Sequence, residues 1–158
     1  MTHPLPYYNL ALLEAEPRAR FDSFTRDDAA ALGIAAAQII REWGLSLMAD
    51  VHIGDELAFR VQYGQTGEGS LHWVSGKRRV VRKFSESSLL VRFRGIDTPH
   101  LVEGLGDEYA VWGGGVPIFV GDELAATLTT SGEEDVVDHE VAVTALARFA
   151  AQDRALSA

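Results

Sequence analysis

The stretch GGGVPIFVGDELAATLTTSG, residues 113–132, contains the pattern that decides the fold. Two short apolar runs, 116–120 and 124–130, are separated by the turn sequence Gly121-Asp122-Glu123. Apolar runs of this length joined by a glycine-containing turn are typical of a β-hairpin. We therefore expect two antiparallel strands in this part of the chain.

An amphipathic segment follows this hairpin. Apolar residues recur at helical spacing from Val137 to Phe149 and predict a closing helix, with Ser131 or Gly132 as its expected start. Ser131 and Glu134 have the spacing of a capping box, so a capping role is favoured over nucleophilic catalysis for this serine. The hairpin and the closing helix form the C-terminal part of the predicted domain.

The earlier part of the chain alternates between helical and strand-like patterns in the same way. Thr25 and Asp28 have capping-box spacing at the start of a helix that ends near Gly44. The next predicted elements are strands at 45–53 and 57–63, a glycine-rich loop at 64–70, a helix at 72–84 and a less regular helical piece to residue 94. The order helix, hairpin, helix, hairpin, helix predicts an α+β fold with an antiparallel sheet flanked by helices.

The length and composition are those of a single domain. A chain of 158 residues with 47% hydrophobic residues can bury a sizeable core. We divide it into a proline-bearing N-terminal arm, 1–20, which is irregular with room for one short helix, and one α+β domain, 21–158. The absence of cysteine excludes disulfides, thiolate metal sites and a cysteine nucleophile.

The net charge of −9 makes nucleic-acid binding unfavourable, because it repels the phosphate backbone. The sequence shows neither a signal-peptide pattern nor an apolar run long enough to cross a membrane, so no membrane association and a soluble, cytoplasmic protein are expected. One positive island interrupts the acidic sequence, and it consists of Arg78, Arg79, Arg82 and Lys83. Such a run on a helix is expected to be a solvated face, with contact to an anionic ligand as the alternative.

Three titratable residues fall on or beside faces that the periodicity predicts to be buried. Asp138 lies in line with the apolar stripe of the last helix, His139 borders that stripe, and Lys77 is on the inward face of the second helix. Because an unpaired buried charge is costly, Asp138 is the expected partner of Lys77, with Glu103 or a neighbouring subunit as other candidates. The alternatives are that Lys77 snorkels to solvent, that Asp138 is a structural anchor, and that His139 is a helix-surface residue.

The glycines before the first strand of the C-terminal hairpin suggest a close backbone approach. Gly113 and Gly114 begin a GGxxP pattern, which precedes a strand rather than a helix and lacks a following Lys-Ser pair, so a phosphate cradle is not expected. Glycine lets the backbone come close to a ligand or to a second chain. We predict one small-ligand site built from these glycines, the SG turn and the buried charges: Lys77, Gly113, Gly114, Pro117, Ser131, Gly132, Asp138 and His139.

Two segments of the chain carry a family resemblance. One is GGxxP followed by a strand ending in SG and by Asp-His-Glu at 138–140, and the other is 73–88, which matches W-x3-K-x-RVV-x2-F-x2-SS. Both are similar to segments of the haem-degrading-domain family, whose members are profilin-like and related to haem-binding sensor proteins and glycolate-operon accessory proteins. With the elements between them, the segments cover most of the chain. The resemblance implies a profilin-like fold.

The resemblance also implies haem as the ligand, and His139 is then the candidate metal ligand. Family members carry histidines just before the SS and just before the GG, where this chain has Glu86 and Trp112, so no haem chemistry is carried over from those positions. Haem degradation needs an iron ligand, an oxygen pocket and an electron source, and this chain has no reductase module. The alternative function is a non-catalytic assembly or partner-binding protein that uses the same residues at subunit interfaces.

Aromatic residues in irregular or glycine-rich segments predict a homo-oligomer. Trp73, Trp112, Tyr7 and Tyr8 lie in or beside such segments, where aromatic anchors are more typical of interfaces than of cores. The arm, residues 1–20, is expected to pack on a neighbouring subunit and to contribute little to the sheet. Its removal is therefore expected to weaken assembly more than the fold.

Overall fold

The computed structural model describes residues 3–157, which form one mixed sheet and its flanking helices. In chain order the elements are α1 (Leu10–Ala15), β1 (Ala19–Phe21), α2 (Arg26–Glu42), β2 (Met48–Ile53), β3 (Glu56–Gln62), α3 (Glu68–Phe84), α4 (Ser88–Asp97), a 3₁₀ turn (Pro99–Leu101), β4 (Gly115–Val120), β5 (Glu123–Ser131) and α5 (Asp135–Ser157). The sheet has five strands in the order β1-β4-β5-β2-β3. The α+β prediction is confirmed.

The main core lies between the sheet and the helices α2 and α5. The predicted start of α2 is confirmed, because the Thr25 hydroxyl accepts from the backbone N–H of Asp28 and the Asp28 carboxylate accepts from the N–H of Thr25. Apolar residues of both helices then pack on inward-facing strand residues: Leu32, Ala36, Ile39, Val51, Leu128, Val141 and Ala145. Helix α3 covers the opposite face of the sheet. The sheet is therefore buried on both sides over its central strands.

The first strand was not predicted. Residues Ala19–Phe21 pair in parallel with β4, with Ala19 opposite Ile118 and Phe21 opposite Val120. All other strand pairs of the described chain are antiparallel, as predicted. The expectation that residues 1–20 contribute little to the sheet is wrong for this strand. The division into an arm, 1–20, and a domain, 21–158, stays a prediction, although β1 crosses its boundary.

The last helix begins later than predicted, at Asp135 rather than at Ser131 or Gly132. Ser131 is the last residue of β5 and pairs with Met48 of β2, so its main chain belongs to the sheet. Gly132 then turns the chain with a φ of 148°, a backbone conformation that favours glycine. The predicted capping role of Ser131 is therefore wrong.

Helix α3 also differs from its prediction, because it begins at Glu68, inside the segment 64–70 that was expected to be a loop. The less regular helical piece is a separate helix, α4, capped by the Ser87 hydroxyl. Within the described residues, no helix combines the length and the hydropathy needed to cross a membrane.

Candidate functional site

The predicted pairing of Lys77 with Asp138 is present. Lys77 Nζ donates to Asp138 Oδ2 at 3.0 Å, to the Thr130 carbonyl oxygen at 3.0 Å and to Ser131 Oγ at 3.2 Å. The Lys77 side chain is 3% exposed and that of Asp138 is 1% exposed. Snorkelling of Lys77 to solvent is therefore wrong, because its ammonium has three partners inside the protein.

The Asp138 carboxylate has further partners in the backbone before α5. Its Oδ1 accepts from the N–H of Glu133 at 3.0 Å, and Gly132 also supplies a backbone hydrogen bond. Burial raises the pKa of Asp138 to about 6, although the Lys77 ammonium and the backbone donors lower it. This carboxylate holds the start of α5 against β5 and α3, as the structural-anchor alternative predicts.

The glycines before β4 pack against this ion pair. Gly114 has a φ of 133°, and a Cβ atom added to it would lie 2.2 Å from the Thr130 carbonyl oxygen and 3.0 Å from Lys77 Nζ. A Cβ added to Gly113 would lie 2.5 Å from the Asp135 carbonyl oxygen. The backbone of these glycines therefore makes its predicted close approach to other residues of the same chain, rather than to a ligand or a second chain.

His139 is buried, so the alternative that it is a helix-surface residue is wrong. Its side chain is 0% exposed, and its Nε2 lies 2.9 and 3.0 Å from the two carboxylate oxygens of Glu16. The Tyr8 ring meets the imidazole edge to face, with 5.0 Å between the ring centroids. Glu16 was missed in the sequence, since an isolated acidic residue in a proline-bearing segment carries no pattern.

Tyr8 attaches the N-terminal segment to α5. Its hydroxyl donates to the Glu140 carboxylate, and burial together with this carboxylate raises the pKa of Tyr8 well above its usual value. The Tyr8–Glu140 and Glu16–His139 contacts connect residues more than one hundred positions apart. The N-terminal segment therefore packs on its own domain.

We expect Tyr8→Phe to lower the free energy of unfolding by about 1.5–3 kcal/mol, because it removes a half-buried hydrogen bond to a charged group. Tyr7→Phe is the matched control, since Tyr7 is 77% exposed. Chemical denaturation of both variants measures the difference. Equal, negligible losses would mean that the Tyr8 contact does not hold the segment in place.

A groove lies between β1, the start of β4 and α5, and we call it the β1–α5 groove. Its volume is about 720 Å³. Apolar side chains form most of its lining, including Phe21, Val143 and Leu146, while Arg18 and Arg20 stand beside them. The volume and the mainly apolar lining are those of a small-molecule site.

The predicted site residues do not form one site. Lys77, Gly114, Ser131 and Asp138 meet in a solid, buried network, with Gly113 and the exposed Gly132 beside it. Pro117 instead lines the β1–α5 groove. Glu16 joins this groove to His139, because the residue is part of the groove lining and its carboxylate contacts the imidazole. The role of the whole set in ligand binding stays a prediction.

A family model described as haem degrading protein HbpS-like matches residues 24–147. The chain belongs to this HbpS-like family. Among its relatives is the UPF0303 protein SCO2848 of Streptomyces coelicolor, which is 35% identical over 143 residues, or 87% of this chain and 90% of the relative. The UPF0303 protein Rleg2_2653 of Rhizobium leguminosarum is 32% identical over 146 residues, or 90% of this chain and 88% of the relative.

Solved structures share the fold of this HbpS-like protein. The crystal structure of Ybr137w superposes with a TM-score of 0.82 at 29% identity and covers 91% of this chain and 88% of that chain. HbpS itself has a TM-score of 0.66 at 15% identity, with 85% and 94% covered. A PduOC:heme complex has a TM-score of 0.68 at 16% identity, with 79% and 94% covered. The last two similarities confirm the fold alone.

Haem, which the family description implies, requires apolar walls, cations for its propionates and a ligand for its iron. The β1–α5 groove of this HbpS-like protein has apolar walls, and Arg18 and Arg20 stand beside them. Glu16 is part of the groove lining, and its carboxylate contacts His139 Nε2. The residues present therefore fit haem. Within the described part of the chain, no group of three or more His, Cys, Asp and Glu side chains is arranged to hold a free metal ion.

Proposed function

We propose that this HbpS-like protein binds haem in the β1–α5 groove. The observation that supports the proposal best is the groove itself, whose volume of about 720 Å³ and mainly apolar lining suit a flat, amphipathic ligand. The family description supports haem as that ligand. Bound haem would supply redox and oxygen chemistry at its iron.

The two arginines would bind the propionates. Arg18 contacts Glu86 at 2.8 Å and Arg20 contacts Asp122 at 2.8 Å, and both guanidinium groups lie over the Phe119 ring. The Arg20–Asp122 pair is largely exposed, and Glu86 keeps Arg94 as a second partner, so exchanging the two carboxylates for propionates costs little. Ring stacking keeps the guanidinium groups in place during this exchange.

Glu16 and His139 would control access to the iron. Glu16 is one of the oxygen-bearing residues that line the groove, and its carboxylate occupies Nε2 of the buried His139 imidazole. Iron ligation by His139, as predicted from the resemblance, requires Glu16 to move aside. A Glu16→Gln variant should therefore change the position of the Soret band, since it weakens the contact that holds the imidazole back.

Haemin titration with a groove-filling variant tests the proposal. Ala147 lies on the groove-facing side of α5, so Ala147→Trp should fill the groove and weaken haemin binding by about tenfold or more. Gln38→Trp is the matched control, because Gln38 is exposed on α2, away from the groove. Absorbance at the Soret band measures affinity.

A second pair of variants tests the charges. Arg18→Gln with Arg20→Gln should weaken haemin binding, whereas Arg41→Gln on α2 should not. Broad absorbance that responds to none of these variants would contradict the proposal and favour the non-catalytic, partner-binding alternative.

Exposed aromatic side chains favour assembly as an additional property. Trp73 is 45% exposed, Trp112 is 46% exposed and Tyr7 is 77% exposed. Such side chains are typical anchors of subunit interfaces, so we propose a homo-oligomer. The absence of cysteine agrees with a cytoplasmic location, which is part of the proposal. Tyr8 no longer supports this proposal, because it packs on His139. Light scattering at micromolar concentration should give a multiple of the chain mass, and a monomer mass would contradict assembly.

A further inference from the structure

A group of buried polar side-chain atoms under α3 has no hydrogen-bond partner among the described residues. In the part of the chain that the structure describes, five buried side-chain nitrogen or oxygen atoms lack a hydrogen bond. Four of them belong to residues on the α3 side of the sheet or on α3 itself: His52 Nδ1, Arg78 Nε, Thr127 Oγ1 and Thr129 Oγ1. Buried polar groups in native proteins are rarely left unpaired, so such a concentration indicates an unseen partner.

The sheet register brings these groups together. Thr127 on β5 is paired with His52 on β2, and Thr129 is paired with Asp50. Cross-strand neighbours of this kind have Cβ atoms about 5 Å apart on the same face of the sheet. The side chain of Arg78 reaches from α3 towards Asp55 in the β2–β3 turn, where its Nη2 lies 3.4 Å from Oδ1.

The charge balance of this group favours an anion. Asp50 is neutralised by Arg60, whose Nε and Nη2 donate to its two carboxylate oxygens at 2.7 Å each. Arg78 has a much weaker counter-charge, because the side chain of Asp55 is 84% exposed and its contact is long. Burial and the nearby Arg78 charge lower the pKa of His52, so this imidazole adds no charge of its own at neutral pH.

The unpaired atoms are mostly donors. Arg78 Nε is only a donor, the two threonine hydroxyls can donate, and His52 Nδ1 donates in one of its tautomers. One water molecule accepts two hydrogen bonds, whereas a planar oxyanion accepts from all four positions. The threonine side chains are fully buried, so the site suits a small ion rather than a large one.

We propose that a small planar oxyanion of the formate, nitrate or bicarbonate type binds under α3, between Arg78, His52, Thr127 and Thr129. The oxyanion would enter between α3 and the β2–β3 hairpin. The partly exposed side chains of Arg78 (16%) and Arg60 (30%) lie at this position. None of the four residues of this site lines the β1–α5 groove. It is therefore independent of the haem proposal.

Nitrate and formate titrations at constant ionic strength, balanced with chloride, test the site. We expect a saturable rise in the melting temperature of the wild-type protein. Thr127→Val preserves the shape of the side chain and removes one hydroxyl, and Arg78→Gln removes the charge, so each should weaken the oxyanion by about tenfold. Arg82→Gln is the matched control, since Arg82 also faces Asp55 but has no unpaired buried atom.

Imidazole resonances in the NMR spectrum give a readout that needs no variant. The His52 ring should shift on titration with nitrate while the rings of His72 and His100, both exposed, do not. A lack of any saturable effect in the wild-type protein would overturn the proposal. So would an equal response in the Arg78→Gln and Arg82→Gln variants, because it would indicate nonspecific ion effects.

Discussion

Replacing either member of the Lys77–Asp138 pair should lower the free energy of unfolding by about 3–5 kcal/mol, because each change leaves a buried charge without its partner. Lys77→Met removes the ammonium, and Asp138→Asn removes the carboxylate charge while keeping an acceptor for the Glu133 N–H. The double variant should lose much less than the sum of the single losses. Denaturant midpoints at neutral pH measure all three.

The exposed pair Arg26–Glu56 is the control for this cycle, since its two side chains are 63% and 68% exposed. Variants of that pair should be close to additive and nearly neutral. Additive losses at Lys77 and Asp138 would contradict the pairing as a stabilising feature. Oligomeric state is checked for each variant, so that a change in assembly is not counted as a change in the fold.

The same pair predicts a pH dependence. The folded-state pKa of Asp138, about 6, lies above its ordinary value of 3.8. A carboxyl with a raised folded-state pKa contributes stability at low pH, and that contribution is lost as the pH rises through the folded-state pKa. Without Lys77 the attraction that lowers this pKa is gone, so the loss extends to higher pH. The penalty of Lys77→Met should therefore grow as the pH rises above 6, and a constant penalty would contradict it.

Gly114→Ala should destabilise the fold by about 4 kcal/mol or prevent folding. The backbone at Gly114 has a φ of 133°, and strain of this kind costs about 1–3 kcal/mol for other residues. The added Cβ would also lie 2.2 Å from the Thr130 carbonyl oxygen, and overpacking adds about 1–3 kcal/mol. Thermal and chemical denaturation measure the loss.

Gly121→Ala separates the two causes. Gly121 also has a positive φ, of 60°, but a Cβ atom there would meet nothing within 4 Å. Its cost should therefore be about 1–2 kcal/mol, from backbone strain alone. Similar losses at Gly114 and Gly121 would mean that the close packing of Gly114 on β5 is unimportant for stability.

Local signals were sufficient for most of the elements. The capping residues of α2, the glycine-containing turns of both hairpins and the apolar stripe of α5 each lie within a few positions of one another, so short-range patterns identify them. The pairing of Lys77 with Asp138 was also predictable, because two buried opposite charges need partners. Boundaries were less predictable, as the start of α5 depends on β5 continuing to Ser131.

The candidate site was less predictable, because long-range contacts build it. Strand β1 is three residues long and is defined by its pairing with β4, almost a hundred residues later. The Glu16–His139 contact and the β1–α5 groove depend on the same pairing. Residues 8–21 show neither the alternating pattern of a strand nor a recognisable binding motif. Of the predicted ligand-binding residues, only Pro117 lines the groove.

The position of the iron in crystals of the protein grown with haemin tests the central claim most directly. Anomalous scattering at the iron edge locates the metal independently of the surrounding density. We expect the iron peak in the β1–α5 groove, beside Glu16, with the propionates near Arg18 and Arg20. An iron peak against the Lys77 network, at a contact between subunits or at scattered surface positions would contradict the account.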